Sequence, residues 1–182
     1  EGSRSSKGRA IQNVIQIDPD DKVRAYINVR RLNDPAYVNS NYIVMCTREG
    51  IIKKTLLEAY SRPRQNGVNA ITVREGDLLI DAALTSGSAQ IVIAAKGGKA
   101  IRFEEDKVRA IGRTGAGVRG ISLDDGDEVI GMLTVEPDQK PEILVVSENG
   151  YGKRTGIDDY RITGRSGKGV KTIQITEKTG KL

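Results

Sequence analysis

Histidine and tryptophan are absent from the 182-residue chain, and cysteine occurs once. Without His, a Ser-His-Asp triad, a Cys-His pair and a His-ligated metal site are excluded. Without Trp, the WD-type propeller signature is excluded. Cys46 can form neither an internal disulfide nor a CxxC metal clip, and within the apolar run YIVMC it reads as a buried thiol. That usage fits a soluble protein of a reducing compartment. No run approaches the ~18 consecutive apolar residues of a membrane span. The opening EGSRSSKGRA lacks the apolar core of a signal peptide and starts inside a repeated motif, so the chain reads as a fragment of something longer. Six Tyr and one Phe do not interleave with the bases, which argues against a stacking platform for single strands or RNA. Lys+Arg 29 against Asp+Glu 24 leaves a net charge of only +5, so the placement of charge matters more than its total.

What the chain does have is a repeat. A box of the form R-x-x-(x)-G-x-x-I occurs as RSSKGRAI at 4–11, RPRQNGVNAI at 62–71, RTGAGVRGI at 113–121 and RSGKGVKTI at 165–173. Its glycines Gly8, Gly67, Gly117 and Gly169 are 59, 50 and 52 residues apart. A second element, an apolar strand, a turn and then a base, occurs as YIVMCTREGIIKK, IVIAAKGGKAIR and ILVVSENGYGKR, with Gly50, Gly98 and Gly150 spaced by 48 and 52. Two independent anchors therefore agree on a period of about 50 residues, the signature of a repeat architecture.

The apolar segments are β-branched and bounded by Glu-Gly, Gly-Gly or Asn-Gly, which are hairpin turn signals. Continuous runs at 91–95 and 143–146 fit strands covered on both faces. The only helical candidate is 55–60, before Arg62-Pro63, and an insertion at 34–41 lengthens the first repeat. Units of about 50 residues with about four strands each point to an all-β, propeller-like fold of three to four blades. We read residues 1–182 as one repeat domain, with blades near 1–61, 62–112 and 113–164, and 165–182 opening or closing a further blade.

The bases concentrate in two phases of the repeat. One is the box (Arg4, Lys7, Arg9; Arg62, Arg64; Arg113, Arg119; Arg165, Lys168, Lys171), and the other follows the hairpin glycine (Lys53, Lys54; Lys99, Arg102; Lys153, Arg154). Acids recur a few residues after the box isoleucine, at 18–21, 75–77, 124–128 and Glu177. Equal phase means equal position on the solid body, so the pattern predicts a basic rim on one edge and an acidic one elsewhere. A curved track of fixed positive charge suits the neutralising and bending of a phosphate backbone. The pieces such as GAGVRG lack the GK[ST] and following helix of a P-loop. Tyr60 and Tyr160, close to box arginines, read as filling blade edges.

GVRGI, GVKTI, the run VRAIGRTGAGVRGI, the segment NGYGKRT and the earlier GIIKKT resemble the C-terminal domain of DNA gyrase A, collinearly along essentially the whole chain. The resemblance implies a β-pinwheel whose neighbouring blades exchange a strand, and a basic rim that wraps duplex DNA with positive writhe for ATP-driven negative supercoiling. It implies DNA-backbone contacts at Lys7, Arg9, Lys53, Lys54, Arg62, Arg64, Arg102, Arg113, Arg119, Lys153, Arg154, Arg165 and Lys168. It also implies a cytoplasmic, nucleoid-associated bacterial protein whose partners are the rest of gyrase A and gyrase B in an A2B2 complex. Catalytic residues, ATP and Mg²⁺ would belong to other domains, with no cofactor in this part. The family's six blades and its defining first-blade box are not all present, since RSSKGRA resembles the second-blade version. The segment GVKTIQITEKTGKL is expected to complete the third blade by exchange. Three alternatives remain at this point. They are the equivalent domain of topoisomerase IV, a propeller-type protein-interaction module that binds an acidic partner, and a propeller-based hydrolase, which needs carboxylates clustered on one face.

Overall fold

The computed structural model describes residues 4–13, 15, 17, 20–64 and 66–182. Asp18 and Pro19 of the first acidic cluster lie outside the described residues. Ten strands follow in order: β1 Tyr42–Thr47, β2 Ile51–Leu56, β3 Leu79–Thr85, β4 Gln90–Ala95, β5 Lys99–Glu104, β6 Val118–Arg119, β7 Val129–Val135, β8 Glu142–Val146, β9 Gly152–Gly156 and β10 Val170–Lys171. The hairpins β1-β2, β4-β5 and β8-β9 turn at Gly50, Gly98 and Gly150, all with φ near +80°, a conformation that glycine adopts without steric penalty.

The strands assemble into two four-stranded antiparallel sheets, β3-β1-β2-β6 and β10-β5-β4-β7, and the third hairpin stands as a two-stranded sheet. Each four-stranded sheet draws on three successive repeats. The first hairpin takes β3 from the stretch after the second box and β6 from the third box, with Ile51 opposite Arg119 and Ile52 opposite Val118. The second hairpin likewise takes β7 and β10. The expected strand exchange is therefore present. The closing segment is corrected in one respect: β10 completes the second blade, with Val170 opposite Ala100, and not the third. Only residues beyond it reach the third hairpin, where the Glu148 and Asn149 amides donate to the carbonyls of Lys181 (2.8 Å) and Thr179 (3.1 Å).

Burial follows this layering. Val44, Cys46 and Ile52 of the first sheet meet Ile91, Ile93 and Phe103 of the second in one core cluster. Val92 and Ala100, on the other face of the second sheet, meet Ile143, Val145 and Tyr160 of the third repeat. The run at 91–93 is thus covered on both faces, which explains why it is continuously apolar rather than alternating. Cys46 is fully buried, and burial pushes its thiol up to about 12. The helical candidate contributes a single 3₁₀ turn, Leu57–Tyr60, matched by turns at Glu105–Lys107 and Ile157–Asp159. A short helix, α1 Pro35–Val38, occupies the insertion. Pro35 pre-sets its first turn, and the Asp34 carboxylate accepts from the amides of Ala36 (3.0 Å) and Tyr37 (3.4 Å).

The exchanged box strand crosses its host hairpin at a glycine. Gly169 has φ +75°, and a Cβ there would lie 2.4 Å from the Ala100 carbonyl oxygen, whereas Gly126 (φ +72°) faces open space. Gly169→Ala should therefore cost about 3 kcal/mol or more in urea unfolding, and Gly126→Ala only about 1–2 kcal/mol, the penalty of a left-handed conformation alone. Equal losses would mean that the box strand does not approach the hairpin closely.

Candidate nucleic-acid interface

The hairpin bases are fixed by strand position. The fourth residue after each turn glycine is Lys54, Arg102 or Arg154. Lys54 Nζ donates to the Glu105 carbonyl (3.2 Å), lies 3.6 Å from Glu105 Oε1 and sits over the Tyr42 ring. Arg102 Nη1 donates to the carbonyls of Ile157 (2.6 Å) and Tyr160 (2.9 Å), and its Nε to Gln90 Oε1 (2.9 Å). In both cases the base of one blade reaches the 3₁₀ turn of the next. One position earlier, Lys53 Nζ donates to the carbonyls of Ala70 and Arg113, joining the second and third boxes. Its ammonium is pushed down to about 8, by withdrawal from water first and by the Arg113 charge second.

Lys53, Lys54 and Arg102, expected on the DNA-facing surface, are thus buried blade-to-blade ties. The reason is geometric: these strands are internal to their sheets and the next blade packs on them, so long basic side chains satisfy buried carbonyls instead of facing water. A signal was available in the sequence, because Arg102 stands between Ile101 and Phe103, and Lys53 and Lys54 stand between Ile51-Ile52 and Leu56-Leu57. Lys153 and Arg154, in the same phases, are exposed on the third hairpin, where Arg154 pairs with Glu142 (3.2 Å).

The boxes behave differently. They are bonded side by side: the Thr72 hydroxyl donates to the Thr114 carbonyl (2.6 Å), the Ser122 amide to Gly167 (2.9 Å) and the Ser166 amide to Gly120 (2.7 Å). The leading arginines of the third and fourth boxes staple each to the one before. Arg113 Nη1 donates to the Asn69 carbonyl and Arg165 Nη1 to that of Arg119, both at 3.1 Å. The second, third and fourth boxes therefore form one continuous row of loops. Arg62, Arg64, Arg119, Arg165 and Lys168 are exposed along it, with Arg113 half-buried. Arg62, Arg64 and Arg113 line a concavity of 190 Å³. Arg161, Arg165 and Lys168 line a larger one of 580 Å³. Lys7 and Arg9 are exposed in the first box, whose described backbone bonds are local, from Asn13 to Ala10 and from Ile15 to Ile11.

Two exposed bases escape a reading of the boxes and hairpins alone. Arg109 and Arg161 each stand four residues before a box arginine, beside Ala110 and Ile162, which bridge to Lys54 and Arg102 of the preceding blade. Their recurrence in phase was the available signal. Three of the acids lie against the hairpins and their bases rather than apart from them. Asp77 and Asp127 accept from the hairpin-turn amides of Glu49 (2.9 Å) and Gly97 (2.8 Å). Asp124 accepts from Lys99 and from Lys168 (3.0 Å), and these ammoniums hold its carboxyl below the usual range. Tyr160 is buried with its hydroxyl on Thr172, and the Tyr60 hydroxyl donates to the Ala70 carbonyl (3.1 Å), so both tyrosines pack as expected. Among the described residues no three acids or cysteines are grouped to share a metal ion, and no helix is long and apolar enough to cross a membrane.

Fold and loops together define a strand-exchanged, propeller-like repeat protein with a row of basic loops. The sequence profile of the family described as "DNA gyrase C-terminal domain, beta-propeller" matches residues 41–86, 89–136 and 141–182. DNA gyrase A of Staphylococcus aureus is 43% identical over 180 residues, 99% of this chain and 20% of that protein. The solved C-terminal domain of DNA gyrase A superposes with a TM-score of 0.82 at 25% identity, over 97% of this chain and 57% of the other. That of DNA topoisomerase IV superposes with a TM-score of 0.84 at 25% identity, over 96% and 52%. The chain belongs to the DNA gyrase C-terminal domain family, and it spans about a fifth of the length of the curated relatives it matches.

The contrast within one phase is testable. Arg102→Ala should lose about 2–4 kcal/mol in urea unfolding, because it leaves buried carbonyls unpaired, while Arg154→Ala should stay within about 0.5 kcal/mol. Lys53 should also leave a pH signature. The folded chain gives up this proton near pH 8, whereas the unfolded chain keeps it until about 10.5. Between those values the unfolded state binds more protons, so stability rises with pH there and is flat in this respect below 8. The melting temperature of the native chain, relative to that of Lys53→Met, should climb across that window. A constant difference would mean that Lys53 is solvated.

Proposed function

We propose that this chain is the duplex-DNA-wrapping part of gyrase A in a bacterial type IIA topoisomerase. The observation that carries the reading is the laterally bonded row of boxes with exposed bases in each. Arg62, Arg113 and Arg165 lead successive boxes, and Arg64, Arg119 and Lys168 add one exposed base to each. Bases so spaced neutralise phosphates along a path that turns with the blades, and each neutralised phosphate releases counterions and favours a bent duplex. Lys7, Arg9, Arg109 and Arg161 add to the same track. The contacts are to the backbone, so they position DNA without reading its sequence. The gyrase reading is preferred to topoisomerase IV because the 43% identity is to a gyrase protein.

In the whole enzyme the wrapped segment is presented for passage through a double-strand break, which biases ATP-driven strand passage toward negative supercoils. Strand cleavage, ATP and Mg²⁺ belong to other domains of an A2B2 complex in the cytoplasm, and this part contributes no catalytic side chain.

A salt titration of duplex binding tests the reading. The native chain should bind a long duplex markedly more tightly than a short one, with a steep salt dependence. Replacing Arg62, Arg64, Arg119 and Lys168 by Gln should lower the log–log slope by about 0.9 for each phosphate no longer neutralised. An unchanged slope in that variant, with a reduced one in Lys153→Gln/Arg154→Gln, would move the track to the third hairpin.

A further inference from the structure

Two successive junctions of the box row meet the same carbonyl position with different donors. Where the fourth box lies against the third, the Gly120 carbonyl accepts from the Ser166 backbone amide (2.7 Å), and the Ser122 amide donates to Gly167 (2.9 Å). Where the third box lies against the second, the residue equivalent to Gly120 is Ala70. Its carbonyl accepts from the Lys53 ammonium and from the Tyr60 hydroxyl (3.1 Å). The bond equivalent to Ser122–Gly167, from the Thr72 amide to Gly115, is stretched to 3.4 Å. Lys53 also donates to the Arg113 carbonyl, so an ammonium is wedged between two boxes that elsewhere in the row close directly on one another. Its counterpart in the second hairpin, three residues past the turn glycine, is the apolar Ile101, whose Cδ1 would lie 3.4 Å from a Cβ at Gly167 of the fourth box.

The wedge sits directly behind bases of the exposed track. Lys53 ends on the Ala70 carbonyl from within, and Arg113 Nη1 ends on the adjacent Asn69 carbonyl (3.1 Å) from the open side. Two cations therefore rest on consecutive carbonyls of the second box, and each disfavours the charge of the other. Lys53 is buried, and the charged group that acts on it is the Arg113 guanidinium. Tyr60, which shares the Ala70 carbonyl, has its phenol pushed up by burial and stays neutral. Lys54 and Glu105 pair with each other from the opposite face of β2, since neighbouring residues of a strand point to opposite sides. The open side of Arg113 faces the 190 Å³ concavity that it shares with Arg62, Arg64 and Glu58. An anion seated there meets three guanidinium groups, with the Lys53 ammonium behind them.

We infer that Lys53 is a positioning residue of the duplex track, and that a duplex phosphate seated over Arg62, Arg64 and Arg113 binds together with a proton on Lys53. This rests on the DNA reading of the boxes. The phosphate charge offsets the repulsion between the two cations, and so favours the charged form of Lys53. By reciprocity the charged form favours the phosphate. The free chain gives up the Lys53 proton near pH 8, and the bound phosphate raises that value. Below pH 8 both states hold the proton and affinity is flat in this respect. Between the free and bound values only the complex holds it, so binding takes up a proton and affinity falls as pH rises. The junction between the third and fourth boxes, with Ile101 in this place, contributes no such dependence.

Duplex binding by the 182-residue chain at constant ionic strength, about one pH unit below and one above the Lys53 value, tests it. For a rise of about one unit on binding, the native affinity should be about fivefold weaker at the higher pH. Calorimetry between the two, in buffers of different ionisation enthalpy, should report the proton taken up. Lys53→Met should bind equally at both pH values with no buffer dependence, because it has no proton to exchange. If methionine at this position unfolds the chain, the Lys53 side-chain resonances of the native protein decide the matter, since their titration midpoint should rise by about one unit on saturation with duplex. Native binding that is steeply salt-dependent but equal at both pH values overturns the inference and leaves the DNA reading standing. A pH dependence that persists in Lys53→Met overturns it as well, because the proton then belongs to another group. A chain that binds no duplex at either pH overturns both.

Discussion

No blade of this protein is complete from its own stretch of sequence, and most of the structure follows from that. A hairpin of two strands leaves two open edges and two apolar faces, and such a unit is marginal in water. The first two hairpins close their edges with strands from the next two repeats. They close their faces by packing on one another, and they fix the spacing by sending a base into the turn of the following blade. Lys54 on Glu105 and Arg102 on Ile157 and Tyr160 are the same device used twice. Each satisfies carbonyls that would otherwise be buried unpaired, which is where a hydrogen bond matters most.

That device divides the bases into two populations with opposite roles. Those on the hairpin strands are drawn inward because the next blade covers them, and their charge serves the fold. Those on the boxes are carried outward on loops that rest on the preceding hairpin and on one another. The box backbone is rigid because Thr72, Ser122 and Ser166 bond it laterally and the leading arginines staple it, so its exposed bases hold fixed spacings. A polyanion laid across the row therefore meets charge already in place, and less ordering cost opposes binding.

The period, the hairpins, the glycine turns and the buried Cys46 are legible in the sequence because each is a local consequence of residue type. Strand exchange becomes legible only through the family resemblance, since its partners are about 30 to 70 residues apart and the two-residue strands β6 and β10 have no periodicity of their own. The hairpin bases mislead for a physical reason: charge in a strand is ordinarily at the surface, and only neighbours such as Ile101 and Phe103 reveal that Arg102 lies inside. The partners of the acids are not legible, because the cap that Asp127 makes on the Gly97 amide joins positions 30 residues apart, which composition cannot show.

The central claim is this division between buried ties and an exposed track, and lysine acetylation with and without a long duplex tests it most directly. Lys168 and Lys171 should be modified in the free protein and protected by DNA, while Lys53 and Lys54 resist modification in both states. Rapid modification of Lys53 and Lys54 in the free protein, followed by their protection on DNA with Lys168 unchanged, would contradict it.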